Sequence, residues 1–470
     1  MRKRAQRTVA VLVVVAVPGV AMLLNAATQR QRLTPQVVFT RIPAAAALDT
    51  LPWEYPPGSA VAAVPSDGRG SVRVLSVGLA AAGGAGVSDD GARVVFAGRE
   101  QNGPQGIWEV PLAGGRPRRL SPNEWTCTAP VFLPDGRVLF SRRAEASQNV
   151  WNLFALNTET GATEQVTFGA AMDGPAAVLA DGRALYVHRA LARAACQHGN
   201  AVLMTVRPDG AGQELFYGAL DHPVLARRPV ETADGGYYFL TGDAQEPALA
   251  SVMGRRPLGT YAAVKTPAGE VVAAIAEQRG DLLVSVRDST SGRPWRLLAL
   301  DPQTGLPRRT LVDDPAWHAL EPAVANDNTP RRLTSVVDAK KTVGRILCLN
   351  VYDSDLPGLG GETPPRVTTV LVRTATDGRL LGTAPVERDG SFYVEVPADT
   401  PISLELRDAT GHSLVKTTAA LWVRPNESRG CIGCHESREL APRNRAPLAV
   451  RKDPVRLVAS PATMPEVSGP

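Results

Sequence analysis

The sequence predicts an all-β protein in which an N-terminal β-propeller is followed by a β-sandwich and a short C-terminal segment. Glycine (43) and proline (39) are abundant among the 470 residues, which favours many short turns over long helices. Asp-Gly corners return at a nearly constant interval, and apolar and polar residues alternate in the segments after them. Hydrophobic residues at 44% and charged residues at 21% describe a globular chain, which argues against a multi-spanning membrane protein or a disordered chain.

The first thirty residues predict an export signal or an N-terminal membrane anchor. Arg2, Lys3, Arg4 and Arg7 precede an apolar run at residues 9–24. This run is shorter than the roughly 20 residues of a spanning helix, and only a fair match to a cleavage site follows it. A cleaved signal and a retained inner-membrane tether therefore both stay open. Because basic residues precede the apolar run, we expect the rest of the chain to be periplasmic or otherwise extracytoplasmic.

Residues 55–335 are predicted to form the β-propeller. The corner aspartates are Asp90, Asp135, Asp181 and Asp234, and the reversed pair Gly280-Asp281 continues the series. Their successive spacings are 45, 46, 53 and 47 residues, a period typical of propeller blades, five to seven of which fit this region. The phrases SDDGARVVFAG and LPDGRVLFSRR resemble TolB-type propeller repeats. That resemblance implies the fold and no particular activity.

Residues 340–424 are predicted to form the β-sandwich. Strand-like segments separated by Asp-Gly and Gly turns are 346–351, 367–373, 391–396, 402–406 and 414–423. Alternation in the third of these segments places Phe392, Val394 and Val396 on one buried face.

The final segment, 425–470, carries the strongest chemical signal. Residues 431–435 read CIGCH, and Cys-x-x-Cys-His is the attachment signature of c-type haem. Two thiols at this spacing add to the porphyrin vinyl groups, and the next histidine becomes an axial ligand of the iron. A zinc site would need a second ligand pair, and a redox Cys-x-x-Cys would open a helix in an α/β fold. We therefore expect one covalent haem c on Cys431 and Cys434, with His435 as axial ligand.

The second axial ligand of the iron is left open by the sequence. Met464 and His412 are candidates, although each is more often a surface or packing residue. Four histidines of the predicted propeller are less favoured candidates: His188, His198, His222 and His318. An open iron can bind small ligands and support chemistry, whereas a capped iron only passes electrons.

Three further cysteines, Cys127, Cys196 and Cys348, allow two interpretations. Cys127 and Cys196 form a disulfide between neighbouring blades while Cys348 is buried on its strand, or all three are inert core residues.

The charge argues against a nucleic-acid partner, although the net charge alone identifies no partner. The net charge of +5 is modest for this length, and the arginines form no long runs interleaved with aromatic residues. Residues 437–456 contain six basic and two acidic side chains. Such a segment suits haem propionates or an acidic redox partner, and a solvated tail is the alternative.

A family resemblance follows from the C-terminal part of the chain. The run from GTAPVERDGSFYVEV through RGCIGCHESRELAP, with GRILCLNVYDSD before it, resembles the middle-domain family named for the alpha subunit of hydrazine synthase. The resemblance implies a propeller packed on a middle domain that carries one haem through Cys431, Cys434 and His435. In that subunit a tyrosine four residues past the motif histidine contacts the catalytic iron, and a further haem domain follows. In this chain the position holds Glu439 and the sequence ends 35 residues after His435, so we do not expect hydrazine synthesis.

These observations together predict an exported monohaem c-type cytochrome-like protein that transfers electrons and docks a redox partner on its propeller. One alternative is a haem enzyme that acts on a small nitrogen or oxygen species. Another is a non-redox envelope scaffold whose Cys-x-x-Cys pair binds zinc or forms a disulfide.

Overall fold

The computed structural model describes part of the chain between residues 35 and 457. The residues left out within this range are 146, 148, 191–200, 219–223, 226, 243–246, 254–260, 268, 326–329, 355–358, 360–364, 418–419 and 434–443. The predicted export signal or anchor lies outside the described residues. The following residues considered in the sequence analysis also lie outside the described residues: Cys196, His198, His222, Cys434, His435, Glu439 and Met464. Within the described part, no helix has the length and apolar character needed to cross a membrane.

The all-β prediction is confirmed. The first 24 strands form six units of four antiparallel strands each. Within a unit, each strand pairs with the next one in the order named below. The first unit is β24 (Trp317–Ala323), β1 (Gln36–Pro43), β2 (Ala60–Pro65) and β3 (Arg73–Val74); the second is β4 (Ala81–Val87), β5 (Arg93–Arg99), β6 (Gly106–Pro111) and β7 (Arg118–Arg119). The third is β8 (Cys127–Phe132), β9 (Val138–Arg143), β10 (Trp151–Leu156) and β11 (Thr163–Gln165); the fourth is β12 (Ala171–Val178), β13 (Ala184–Ala190), β14 (Val202–Val206) and β15 (Glu214–Tyr217). The fifth is β16 (Val230–Glu231), β17 (Gly236–Gly242), β18 (Pro247–Met253) and β19 (Ala262–Ala263); the sixth is β20 (Glu270–Gln278), β21 (Asp281–Asp288), β22 (Arg296–Leu300) and β23 (Pro307–Val312).

The repeated corners connect the first two strands within a unit. Gly91, Gly136, Gly182, Gly235 and Gly280 all have positive φ, between 67° and 89°, as tight hairpin turns require. The corner aspartates also accept hydrogen bonds from the turn backbone, as Asp90 Oδ1 does from the N–H of Ala92 at 3.0 Å. The number of residues between successive corners therefore equals the length of one four-stranded unit with its connection to the next.

The first and last strands of this region share a sheet. β24 pairs antiparallel with β1, so the two chain ends of the region meet in one unit. The first strand begins at Gln36, before residue 55, where the sequence predicted the region to begin. Units three and four are joined by one parallel pairing, between Trp151 and Met172.

The sandwich consists of two four-stranded sheets. One has the order β31 (Ser428–Cys431), β25 (Val343–Cys348), β28 (Phe392–Pro397) and β32 (Val455–Arg456); the other has the order β27 (Leu380–Pro385), β26 (Thr369–Thr374), β29 (Ile402–Arg407) and β30 (Ser413–Lys416). Phe392, Val394 and Val396 are buried and alternate with less buried neighbours, as predicted. The segment expected to be one strand over 414–423 instead ends at Lys416, and β31 and β32 extend the sandwich past residue 424.

Candidate functional site

The strand β31 carries the first cysteine of the predicted haem motif. It is the edge strand of its sheet and pairs in parallel with β25, so that Cys431 lies opposite Cys348. Beyond the paired residues, the N–H of Leu349 donates to the carbonyl of Cys431 at 2.9 Å, and the N–H of Asn350 donates to that of Ile432 at 3.1 Å. Backbone hydrogen bonds thus fix the start of the motif to the sandwich edge.

Gly433, inside the motif, packs against the turn that follows β25. A Cβ atom at this position would lie 1.8 Å from the carbonyl oxygen of Asp353, a backbone atom that cannot move aside cheaply. The close approach therefore requires glycine at this position of the motif.

The thiol of Cys431 lies at the rim of the sandwich core. Cys431 is half-buried, whereas Cys348 is 2% exposed and belongs to the core cluster with Ile346 and Val394. Residues paired in register on neighbouring strands point to the same face of a sheet, so both side chains face the core side. Cys434 and His435, the other two residues of the motif that would hold a haem, lie outside the described residues.

Cys127 is a buried free thiol in β8, far from this motif in the sequence. Burial raises its pKa to about 12, so it is protonated at neutral pH and is no nucleophile.

Of the three described histidines considered as second iron ligands, two contact other groups and one is exposed. His318 is buried, its Nδ1 accepts from the N–H of Trp295 at 3.0 Å, and its Nε2 lies 3.1 Å from the carbonyl of Ala44. His188 Nδ1 lies 2.7 Å from Asp173 Oδ1. His412 is exposed. No group of three or more His, Cys, Asp or Glu side chains able to hold a metal ion occurs in the described part of the chain.

Arg424 joins the sandwich to the propeller just before the motif. Its side chain is 5% exposed, with Nη2 2.6 Å from Glu164 Oε1 and Nη1 3.0 Å from Asp399 Oδ1. Its guanidinium also lies 5.1 Å from the ring centre of Phe168, a propeller residue. Burial raises the pKa of Asp399, and the Arg424 charge opposes that shift. A cleft of about 590 Å³ beside this cluster is lined by both modules, including Glu164 and Lys341.

Glu427 and Arg429, which follow Arg424 in the chain, complete this junction. Glu427 Oε1 accepts from the N–H of Gly212 in the propeller at 2.9 Å, and Arg429 Nη2 donates to the carbonyl of Gln213 at 2.7 Å. The chain leading into Cys431 is therefore bonded to both modules.

The basic residues after the motif are partly matched by sandwich carboxylates. Lys452 Nζ lies 2.6 Å from Glu387, and Arg456 Nε lies 3.5 Å from Glu395. The N–H of Leu448 also donates to Asp389 Oδ2 at 2.8 Å. The described residues 444–457 pack on the sandwich, so a fully solvated tail does not describe them.

Comparisons with known proteins agree with this architecture. Residues 334–436 match the family model described as "Hydrazine synthase alpha subunit middle domain". Hydrazine synthase from Kuenenia stuttgartiensis is similar in structure, with a TM-score of 0.76 and 18% identity over 89% of this chain and 71% of that chain. TolB from Acinetobacter baumannii matches with a TM-score of 0.41 and 12% identity over 65% and 70% of the two chains. The propeller domain of the trilobed protease from Pyrococcus furiosus matches at 0.34 and 13%, over 54% and 90%. No curated protein sequence matches.

The TM-scores of TolB and of the trilobed protease are below 0.5 and support no conclusion about this chain. The likeness to hydrazine synthase, at 18% identity, shows a shared fold alone. Residues 334–436 are thus confirmed as a match to the hydrazine synthase alpha subunit middle-domain family, and the shared fold extends over most of the chain.

Proposed function

We propose that this chain is an exported c-type cytochrome-like protein that holds one covalent haem through Cys431 and Cys434, with His435 as axial ligand. The haem would supply reversible one-electron transfer. The observation that carries the proposal is the CIGCH sequence at the end of an edge strand that is tied to two modules.

The chain's own part in this function is positioning. β31 and Gly433 hold the first half of the motif against β25, and Arg424, Glu427 and Arg429 hold the preceding residues against the propeller. A rigid attachment limits structural change around a redox group, which suits electron transfer. The propeller next to it offers a broad surface for a redox partner protein, and residues 9–24 would tether the chain to the inner membrane or direct its export.

The test is production of the protein together with a haem-attachment system, followed by a pyridine haemochrome spectrum. We expect one covalent haem per chain in the native protein, none in the double variant Cys431→Ala/Cys434→Ala, and the native amount in Cys127→Ala. The last variant removes a buried thiol far from the motif in sequence, so it controls for loss of a cysteine as such. A native protein that folds without covalent haem contradicts the proposal and leaves the scaffold alternative.

Carbon monoxide separates electron transfer from the haem-enzyme alternative. A reduced spectrum that does not respond to carbon monoxide supports a capped iron and electron transfer. A spectrum that shifts indicates an open iron site and supports an enzyme acting on a small nitrogen or oxygen species.

A further inference from the structure

Two cysteines of the described chain face each other across neighbouring strands. Cys348 ends β25 and Cys431 ends β31, and the two are partners in the parallel register of these strands. Backbone hydrogen bonds extend the pairing on both sides. The N–H of Arg345 donates to the carbonyl of Glu427 at 2.8 Å, and the N–H of Leu349 donates to that of Cys431 at 2.9 Å. The backbone therefore holds the two cysteines side by side.

This arrangement places the two thiols within reach of each other. Neighbouring strands lie about 4.8 Å apart, and residues joined by a disulfide have Cα atoms roughly 4.4–6.8 Å apart. Partners in register direct their side chains to the same face of the sheet. For Cys348 this face is the sandwich core, where it belongs to the same cluster as Ile346 and Val394. Because β31 is a short edge strand with one neighbour, the small adjustment that a sulfur–sulfur bond needs can fall on this strand.

The two thiols differ in their access to solvent. Cys431 is half-buried at the rim of the core, whereas Cys348 is 2% exposed. A dissolved oxidant therefore meets the sulfur of Cys431 and not that of Cys348. Oxidation reaches Cys348 through a neighbouring sulfur, and its partner in the register supplies one.

We propose that Cys348 is the resolving thiol for Cys431, so that the haem-free chain forms a Cys348–Cys431 disulfide. The oxidant is a small-molecule or protein disulfide. The Cys431 thiolate attacks this disulfide, forms a mixed disulfide and releases the first thiol. The Cys348 thiolate then attacks the Cys431 sulfur and releases the second thiol. The pair thus gives up two electrons and two protons, which reduce the external disulfide to two thiols.

The consequence for haem rests on the proposed function. A thioether to a porphyrin vinyl group uses the sulfur of Cys431, so the disulfide and the haem bond exclude each other. In the haem-free chain the disulfide protects the accessible thiol from irreversible oxidation to the sulfinic acid. Attachment of haem then begins with reduction of this disulfide.

The proposal is tested on the haem-free full chain, produced without a haem-attachment system. The protein is treated with oxidised glutathione, the remaining thiols are blocked, and the peptides are mapped by mass spectrometry without reduction. In the native chain we expect a Cys348–Cys431 linkage that disappears on reduction. Cys431 that is linked to Cys434 instead, that keeps the glutathione, or that stays unmodified overturns the proposal.

Two variants separate the role of Cys348 from pairing between the two motif cysteines. In Cys434→Ala we expect the Cys348–Cys431 linkage and no retained glutathione, whereas in Cys434→Ala/Cys348→Ala the glutathione stays on Cys431. If the double variant fails to fold, Cys434→Ala still decides, because glutathione retained there overturns the proposal. Cys127 is also buried but has Arg142 opposite it in β9, so Cys127→Ala should leave the linkage unchanged.

Failure of this proposal and failure of the proposed function give different results. A haem-free chain without the Cys348–Cys431 linkage leaves the haem content of the co-produced protein as expected. A co-produced protein without covalent haem leaves the linkage in the haem-free chain as expected. If both proposals hold, chain that carries the linkage takes up haem only after reduction.

Discussion

Arg228 at the propeller axis, where residues from all six units line one small cavity, is half-buried, and Arg424 at the junction between propeller and sandwich is buried. Different groups satisfy the two arginines. At the junction, Arg424 meets carboxylates from both modules, Glu164 and Asp399. At the axis, Arg228 donates to backbone carbonyls, those of Ala85 and Pro130. A carbonyl satisfies a donor without neutralising a charge, whereas a carboxylate does both, so only the junction pairs its arginine directly with opposite charge. The first arrangement joins the two modules, and the second ties the arginine to the backbone of two propeller units.

Loss of Arg424 is expected to have the largest effect. Arg424→Ala leaves Asp399 and Glu164 without their shared cation and removes the contact with Phe168. Breaking a buried pair costs about 3–5 kcal/mol, and the partial exposure of both carboxylates favours the lower end, about 3 kcal/mol. Urea unfolding measures the change, and limited proteolysis should reveal earlier cleavage between the modules.

A surface arginine of the sandwich gives the matched control for this variant. Arg345 lies 3.5 Å from Glu395 with its side chain 42% exposed, so Arg345→Ala should cost about 0.5 kcal/mol or less. If both variants lose the same small amount, the junction behaves like a surface ion pair, and the contrast with the axis fails.

An added methyl group at the axis is expected to have the next largest effect. A Cβ at Gly83 would lie 2.2 Å from Cε1 of Tyr55 and 2.8 Å from Cγ2 of Thr40, both in the buried interior. Gly83→Ala should therefore lower the unfolding free energy by about 2 kcal/mol, the range typical of overpacking.

Gly103→Ala is the control for Gly83→Ala, because a Cβ there meets nothing within 4 Å. It should change the unfolding free energy by about 0.5 kcal/mol or less. Equal effects in chemical denaturation would mean that the interior is loosely packed around Tyr55, whose hydroxyl donates to Glu321 Oε2 at 2.9 Å.

Local features of this chain were predictable from its sequence, and features made by distant pairing were not. An Asp-Gly corner demands positive φ from its own glycine, so the spacing of the corners indicated the unit repeat. The CIGCH string needs no tertiary context to be noticed. By contrast, the pairing of β1 with β24, and the placement of Cys348 beside Cys431, join segments far apart in the chain. No local periodicity encodes which strands pair.

The residues that line the cavity at the propeller axis, among them Ala129, Arg228 and Glu321, had a weak signal in the sequence. Ala129, Gly174 and Arg228 each precede a proline and stand six or seven residues before a corner aspartate. Aligning the corners superimposes these positions and singles out Arg228 as a charged residue where the others are small. Glu321 also precedes a proline, but no Asp-Gly corner follows it, so the alignment would have missed it.

The smallest expected effect concerns His318 in β24, the strand that carries Glu321. Burial lowers the pKa of His318 below its usual 6.5, the hydrogen bond to the Ala44 carbonyl opposes this shift, and the nearby Arg287 charge adds to it. The unfolded chain therefore binds the proton more tightly, and this group's contribution to stability is complete above about pH 6.5 and falls as the pH drops below it. His318→Asn keeps an acceptor near Nδ1 but cannot titrate, so its unfolding temperature should fall less between pH 7.5 and 5.5 than that of the native protein. His412→Asn, at an exposed position, should keep the native fall. An unchanged fall in His318→Asn would assign the acid sensitivity of the protein to other groups.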